Sequence, residues 1–224
     1  MEVGGNGSEF LRIGTSSVPA QWFVPTILSG FLKKNVNTQV EMTSADSLDI
    51  IRRVKEGSLD IGFVGTKVEK QCKYISLVND HLVLAAPNTK KYQKIFVGES
   101  GSGESDLRQI LEAPFLARRQ YSGTMKEALG SLKYFGIEEE DLNIIATFDS
   151  AEMLRDCVEA GMGISILSYQ MIRELHESGK ILIYRLPEKE FCRELYLIYK
   201  NESFLPEIVK RFIHYTEKCF KKEF

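Results

Sequence analysis

The chain has 224 residues, of which 43% are hydrophobic and 27% are charged, and its formal net charge is -2. This length supports one large or two modest domains with a buried core, and the composition is typical of a globular protein. The slightly negative balance excludes a broad basic surface for nucleic acid. No apolar run reaches the roughly 18 residues of a membrane span, so we expect no membrane association.

Strand-like and helix-like stretches alternate along the whole chain. Strands are predicted at 10–15, 38–44, 59–66, 74–87 (as one or two strands), 114–119, 142–150, 163–168, 181–187 and 193–200. Helices are predicted at 19–34, with a kink or restart at Pro25, and at 47–57, 106–112, 123–136, 151–161, 169–179 and 205–220. Several helices end on glycine, namely Gly57, Gly136, Gly161 and Gly179. The alternation predicts an α/β architecture with mostly parallel strands and right-handed crossovers.

The cysteines and the first residues indicate the compartment. Cys72, Cys157, Cys192 and Cys219 are far apart and fit neither a metal-ligand spacing nor a disulfide framework. Reduced thiols, a cytoplasmic location and the absence of a metal or cofactor are therefore expected. Residues 1–9 have no apolar core of the kind that a secretory signal needs, and we interpret them as a flexible start or an expression scar.

Polar residues follow several predicted strands at the point where a helix begins. The stretch "RRQYSGTMKEAL", residues 118–129, places Ser122, Gly123 and Thr124 at one such helix start. Four similar sets of polar residues follow other strands: Thr15, Ser16 and Ser17; Thr43, Ser44 and Ser47; Gly65 and Thr66; and Asp149 and Ser150. In open α/β sheets, ligands bind at the carboxyl ends of the strands, where helix N-termini offer free N–H groups. These residues predict a site for a small anion or a polar metabolite.

Helix capping is the alternative explanation for each hydroxyl. Ser and Thr are common N-caps, and one cap per helix is sufficient. Two or three hydroxyls at one helix start exceed that need, so capping and ligand contact are equal alternatives for Ser16, Ser17, Ser122 and Thr124. Arg118 and Arg119 are neighbours in a strand, so one of them is expected to face solvent.

Four motifs in order give a resemblance to a known family. The segments are "LRIGTSSVPAQWFVPTILSGFLKKN", "LDIIRRVKEGSLDIGFVG", "PFLARRQYSGT" and "SAEMLRDCVEAGMGISILS". Together they resemble the effector-binding domain of LysR-type transcriptional regulators. The resemblance extends from Phe10 to Phe220, and "GSLDIGFVG" and "VEAGMGISILS" are its most specific parts.

The resemblance implies a periplasmic-binding-protein-like (type 2) architecture of two Rossmann-like subdomains joined by two crossovers. Subdomain I comprises residues 10–86 plus 187–224, and subdomain II comprises residues 87–186. An inducer is expected in the cleft between them. The family's cleft positions correspond to Thr15, Ser16, Ser17, Ser44, Ala45, Gly65, Thr66, Gln120, Ser122, Gly123, Thr124, Asp149 and Ser150. Gln120 and Tyr121 stand where the family often has acidic residues, which disfavours a cationic inducer.

The same resemblance implies the partners. Family dimers pair residues 20–34 with residues 125–135, so we expect a homodimer, with a tetramer possible in the full-length protein. Phe31, Leu32, Leu132 and Tyr134 are apolar enough to contribute to this interface. DNA is expected to be bound only through an N-terminal winged helix-turn-helix that the printed chain lacks.

Two other functions are alternatives for this sequence. An extracytoplasmic solute-binding protein of a transporter shares the fold, but the chain shows no signal peptide and has four cysteines without a disulfide pattern. An enzyme needs an acid or base at the site, whereas His81, His176 and His214 lie elsewhere and Asp149 is the only carboxylate nearby. The sequence therefore predicts a sensor domain without catalytic activity.

Overall fold

The computed structural model describes residues 9–68, 70, 72–96, 104–119, 122–187, 189–202 and 204–223. These residues form two compact units. Unit 1 contains the described chain up to Val78 together with the part from Glu194 onward, and unit 2 contains Asn79–Arg193. The sequence placed the two crossings at 86/87 and 186/187. The two units divide at 78/79 and 193/194, and each division falls inside a continuous strand.

The helices and strands follow the predicted order closely. The strands are β1 (Glu9–Thr15), β2 (Thr38–Ser44), β3 (Ile61–Val64), β4 (Cys72–Pro87), β5 (Phe115–Arg118), β6 (Ile144–Phe148), β7 (Ser165–Ser168), β8 (Ile181–Arg185) and β9 (Cys192–Lys200). The helices are α1 (Ser17–Trp22), α2 (Val24–Lys34), α3 (Ser47–Glu56), α4 (Lys90–Phe96), α5 (Glu104–Leu111), α6 (Gly123–Lys133), α7 (Ala151–Glu159), α8 (Tyr169–Glu177) and α9 (Glu207–Glu223). Within these residues no helix is both long enough and apolar enough to cross a membrane.

Unit 1 is a sheet covered on both faces. β1 pairs in parallel with β2 and β3, and β3 pairs antiparallel with β9. On one face, Ile50, Ile51 and Val54 of α3 pack with residues of β3 and β9. On the other face, the rings of Phe31 and Phe212 are 4.9 Å apart and join α2 to α9. Because both faces are covered, every residue of β3 is buried, and so are Leu11 and residues 13–15 of β1.

Unit 2 has its own core. The second half of β4 pairs antiparallel with β7 and β8, while β5 pairs in parallel with β6. Alternate residues of β4, Leu82, Leu84 and Ala86, face a core that also includes Phe115 and residues of α5 and α6. Each unit therefore has a hydrophobic core of its own, and that core fixes the positions of its strands.

Three features differ from or refine the sequence analysis. The pairing of β4, β8 and β9 is antiparallel, so the expectation of mostly parallel strands is wrong and the sheets are mixed. Helix α4 was not predicted, because its segment "KKYQKIF" is short and mostly polar. The first helix ends and restarts at Phe23, just before Pro25, as expected.

Two further expectations concern the helix ends and the start of the chain. All four glycines predicted at helix ends have a positive φ, with Gly57 at 78° as the C-cap of α3. The flexible start predicted for residues 1–9 lies outside the described residues, apart from Glu9, which begins β1.

Candidate functional site

In unit 1, three strand ends meet at one edge of the sheet. Thr15 is paired with both Ser44 and Phe63 in the parallel ladders. The Ala45 N–H donates to the Thr15 carbonyl (3.2 Å), and the Ser16 N–H donates to the Phe63 carbonyl (2.8 Å). The parallel register therefore brings the predicted residues after β1, β2 and β3 together.

A buried serine fixes the loop after β3. The Gly65 N–H donates to Ser47 Oγ at 3.2 Å, and Ser47 is buried at the first position of α3. Ser47 was recognised in the sequence as a hydroxyl at a helix start but was not among the predicted ligand contacts. Its hydroxyl positions the backbone of Gly65 and Thr66.

Ser16 is a mostly buried residue whose hydroxyl does not cap its helix. The residue is 8% exposed and occupies the N-cap of α1, yet its side chain makes no capping bond. The residue three positions later, where an N-cap side chain usually finds its donor, is Pro19, which has no N–H. Within the described part of the chain, Ser16 Oγ has no hydrogen-bond partner. Because no described group uses this hydroxyl, it can form a hydrogen bond to a ligand.

The other predicted hydroxyls of unit 1 differ in their contacts. The Thr15 hydroxyl donates to the Ser16 carbonyl at 3.0 Å, which satisfies it within the backbone. Thr66 is buried, Ser17 is partly exposed, and Ser44 is exposed. Ser16 and Ser17 are therefore the strongest ligand donors in this unit.

In unit 2, two strand ends meet in the same way. β5 and β6 are parallel neighbours, with Arg118 paired to Phe148, and the Arg119 N–H donates to the Phe148 carbonyl at 3.0 Å. This continues the pairing past the end of β5, at the end of the strands that α6 and α7 follow in the chain. Arg118 is buried and Arg119 is exposed, which confirms that one of the two faces solvent.

Two serines of unit 2 act as helix caps. The Met125 N–H donates to Ser122 Oγ (3.4 Å), and the Met153 N–H donates to Ser150 Oγ (3.1 Å). The Ser150 hydroxyl also donates to the Glu152 carboxylate at 2.8 Å, so its hydrogen-bonding capacity is largely used inside the chain. Ser122 has accepted one bond and keeps its own proton to donate.

Thr124 and Asp149 complete the predicted set in unit 2. Thr124 is half-buried in the first turn of α6, and its hydroxyl makes no hydrogen bond to another described residue. The Asp149 carboxylate is exposed and lies 3.8 Å from the Arg119 guanidinium, so it is an ion-pair partner and not a helix cap. Gln120, together with Tyr121, lies outside the described residues.

The sequence analysis missed a carboxylate beside the β3 end of unit 1. Val64 pairs with Tyr196, so β9 runs next to the residues that precede Gly65. The Tyr196 and Ser76 hydroxyls donate to Glu194 at 2.6 and 2.7 Å, and these two bonds lower the pKa of the Glu194 carboxyl. No local signal marks Glu194, because only the strand pairing brings it near this edge.

Metal binding finds no support in the described part of the chain, where no group of three or more His, Cys, Asp or Glu side chains could hold an ion. The polar groups at the two strand-end clusters are hydroxyls, the Arg119 guanidinium in unit 2, and the carboxylates of Asp149 and Glu194. The hydroxyls and the guanidinium are the hydrogen-bond donors among them. Such groups bind anions and polar, uncharged molecules through directional hydrogen bonds.

Comparisons with known proteins agree on one family. The sequence pattern of the LysR substrate binding domain matches residues 5–219. An uncharacterised HTH-type transcriptional regulator of Methanocaldococcus jannaschii, MJ0300, is 26% identical over 213 residues, which are 95% of this chain and 70% of that protein. The regulator YeiE of Escherichia coli K12 is 23% identical over 92% of this chain and 67% of that protein.

Solved structures show the same fold. The regulatory domain of CcmR from Synechocystis PCC6803 in complex with 2-PG has a TM-score of 0.83 at 19% identity and covers 96% of this chain and 99% of its own. The effector-binding domain of QuiR in complex with shikimate has a TM-score of 0.82 at 16% identity, with 97% and 100% covered. Full-length CbnR with its target DNA has a TM-score of 0.73 at 18% identity, with 94% and 70% covered.

Proposed function

Because this chain belongs to the LysR substrate-binding domain family, we propose that it binds a small inducer and couples that binding to the DNA affinity of a transcriptional regulator. The related regulators are of the HTH type, and this chain corresponds to 67–70% of their length. The alternative of a transporter's solute-binding protein receives no support from these matches.

The Ser16 hydroxyl, which sits at a helix start without capping it, is the observation that carries the proposed ligand site. We assign the ligand to the strand-end clusters, with Ser16 and Ser17 as donors in unit 1 and Ser122, Gly123 and Thr124 as donors in unit 2. Supporting positions are Thr15, Ser44, Ala45, Gly65, Thr66, Gln120, Asp149 and Ser150. A small anion or a polar metabolite fits these hydroxyl and N–H donors.

The coupling needs a ligand that prefers one conformation of the domain. A ligand shifts a conformational equilibrium only by the difference between its affinities for the two states. We propose that occupation of the strand-end clusters provides that difference. Native mass spectrometry of freshly purified protein identifies a carried ligand, and 2-PG and shikimate are the first two compounds for a binding screen because related domains were solved with them.

Two single variants test the ligand site by calorimetry. Ser16→Ala and Thr124→Ala are each expected to weaken binding about tenfold or more for a charged ligand, since a hydrogen bond to a charged group contributes about 1.5–3 kcal/mol. Neither hydroxyl holds another described residue, so the free energy of unfolding is expected to stay within about 0.5 kcal/mol. Ser58→Ala and Ser178→Ala, at exposed serines in units 1 and 2, are the controls for affinity; each also removes a hydrogen bond to a backbone carbonyl, so their stabilities are not compared with those of the test variants. Unchanged affinity in Ser16→Ala contradicts the assigned site.

The second part of the proposal is a homodimer that pairs residues 20–34 with residues 125–135. Phe31 and Leu132 lie in the hydrophobic cores, so their expected contribution to the interface is corrected. Tyr134 is 81% exposed at the end of α6, and Leu32 is half-buried on α2. These two side chains remain the apolar candidates for contact with a second copy.

DNA binding and location follow from the same proposal. We assign DNA contact to an HTH segment outside the 224 printed residues and place the regulator in the cytoplasm, where its DNA is. The structure of full-length CbnR, a similar protein, was solved with its target DNA, which supports the proposal that this chain is one part of a DNA-binding regulator. In a gel-shift assay the 224-residue chain alone is expected to give no sequence-specific complex, and a shift at nanomolar protein contradicts the assignment.

A further inference from the structure

A cavity of about 240 Å³ lies within unit 2, away from the strand-end cluster of that unit. Its walls include the apolar side chains Val83, Ile183 and Phe191 and the polar side chains His81, Tyr169 and Arg185. The volume is below the roughly 300–1,000 Å³ of pockets that bury drug-sized ligands. The cavity therefore fits a small molecule with about one ring.

The strand pairing explains how these side chains converge. Val83 of β4 is the direct antiparallel partner of Arg185 of β8, so both side chains stand on the same face of the sheet. His81 lies two residues before Val83 and shares that face. The Leu82 N–H donates to the Phe191 carbonyl at 2.8 Å, which fixes Phe191 beside the strand. Tyr169 begins α8, which packs over β8.

The polar side chains of this cavity are available to a ligand. Among the described residues, none forms a hydrogen bond or an ion pair with the side chain of His81, Tyr169 or Arg185, and His81 and Arg185 are exposed. By contrast, the nearby Arg193 is fully engaged with Asp80 at 2.9 Å. A guanidinium beside an apolar pocket recognises a carboxylate through directed, charge-assisted hydrogen bonds.

We propose that this cavity is a second ligand site, distinct from the strand-end clusters, and that it binds a small aromatic or branched monocarboxylate. The carboxylate accepts hydrogen bonds from Arg185, and the Tyr169 hydroxyl is the second donor at the mouth. The apolar part of the ligand packs against Val83, Ile183 and Phe191. Arg185 sets the charge of the ligand and the apolar walls set its size.

The test uses 3-phenylpropanoate as the probe and methyl NMR as the readout. In the chain labelled at Ile and Val methyl groups, the probe is expected to shift the signals of Ile183 and Val83 in a saturable manner. The uncharged 3-phenylpropan-1-ol and the ringless acetate are expected to bind at least about tenfold more weakly, because each lacks one of the two recognition elements. These shifts are expected to persist in Ser16→Ala, which separates this site from the proposed inducer site.

Two variants and one control make the test specific. Arg185→Gln is expected to weaken 3-phenylpropanoate about tenfold or more, and Ile183→Phe is expected to block the cavity while keeping the charge. Arg173→Gln removes an equal charge from an exposed position that does not line the cavity and is expected to leave binding intact. Thermal unfolding of each variant checks that it folds.

Three results overturn the proposal. They are the absence of methyl shifts at about 10 mM probe, equal binding of the acid and the alcohol, and equal losses in Arg185→Gln and Arg173→Gln. Absent shifts show that the cavity is not a ligand site. Equal binding of the acid and the alcohol shows that the site does not recognise the carboxylate. Equal losses in the two arginine variants show that Arg185 contributes only to the net charge and makes no direct contact with the ligand.

Discussion

Removing the Asp80 carboxylate is expected to destabilise unit 2 strongly. Asp80 is completely buried and accepts hydrogen bonds from Arg193 (2.9 Å) and from the Ser168 hydroxyl (2.6 Å). The Arg193 side chain is only 6% exposed, so Asp80→Ala leaves a buried guanidinium without its counter-charge. Breaking a buried pair by removing one partner costs about 3–5 kcal/mol.

The same reasoning predicts how a double variant behaves. Asp80→Ala with Arg193→Met removes both charges, and such replacements of a buried ion pair are often close to neutral. The double variant is therefore expected to be more stable than Asp80→Ala alone. Glu56→Ala breaks an exposed pair with Arg52 on α3 and is expected to cost at most about 1 kcal/mol, which makes it the reference.

Urea unfolding measures these differences, provided that each unit is followed separately. The single tryptophan, Trp22, lies in unit 1, so its fluorescence reports on that unit, whereas circular dichroism reports on both. If the units unfold independently, Asp80→Ala lowers the midpoint of the unit 2 transition, which is seen by circular dichroism, and leaves the midpoint of the unit 1 transition seen by fluorescence unchanged. A loss below about 1 kcal/mol, or a double variant less stable than the single one, refutes the argument from the buried pair.

Further predictions concern glycines, an exposed carboxyl group and the dimer. Gly163→Ala places a Cβ 2.3 Å from the backbone carbonyl oxygen of Pro114, which cannot move aside, so the free energy of unfolding in urea is expected to fall by about 1–3 kcal/mol. Gly130→Ala in α6 places a Cβ with nothing within 4 Å, so the free energy of unfolding is expected to rise by up to about 1 kcal/mol. Tyr196→Phe removes the main cause of the lowered pKa of Glu194, so an NMR titration is expected to show that pKa rising towards the ordinary glutamate value. A lowered carboxyl pKa stabilises the folded state at a pH above the unfolded-state pKa, and this stabilisation is lost as the pH falls through the folded-state pKa. The variant lacks most of this contribution, so it is expected to lose less stability on acidification than the parent protein. Tyr134→Glu puts a charge on the proposed interface and is expected to shift sedimentation at tens of micromolar towards the monomer, whereas an unchanged dimer contradicts the pairing of α2 with α6.

Apart from α4, the order of elements was predictable because each of the others has a local signal. Helix α3 combines an apolar stripe at Ile50, Ile51 and Val54 with a glycine stop at Gly57, and β3 is an uninterrupted apolar run. The gathering of the hydroxyl sets was predictable as well, since parallel strands end at the same edge of a sheet. These inferences need only local patterns and one general rule of topology.

The missed features depend on which strands become neighbours. The antiparallel pairing of β3 with β9 joins residues far apart in sequence, and it alone brings Glu194 and Tyr196 towards the end of β3. The pairing of β4 with β8 likewise brings Val83 to Arg185. Local periodicity contains no information about such partners. By contrast, the spare hydroxyl of Ser16 was readable from the sequence, because Pro19 removes the donor that a cap would use.

For the two capping serines of unit 2, hydrogen-bond length and burial predict opposite orders for the stability lost on substitution by alanine. The bond to Ser122 is the longer one, at 3.4 Å against 3.1 Å for Ser150, so length alone predicts the smaller loss for Ser122→Ala. However, Met125 is 5% exposed, whereas Met153 is 57% exposed. Water can replace the Ser150 hydroxyl at the Met153 N–H, but it cannot easily reach the Met125 N–H, and a buried unsatisfied donor costs about 1–3 kcal/mol. Ser122→Ala is therefore expected to lose about 1–3 kcal/mol and Ser150→Ala about 0.5–1 kcal/mol in urea unfolding followed by circular dichroism. If Ser150→Ala proves the more damaging of the two, bond length and not burial determines the value of these caps.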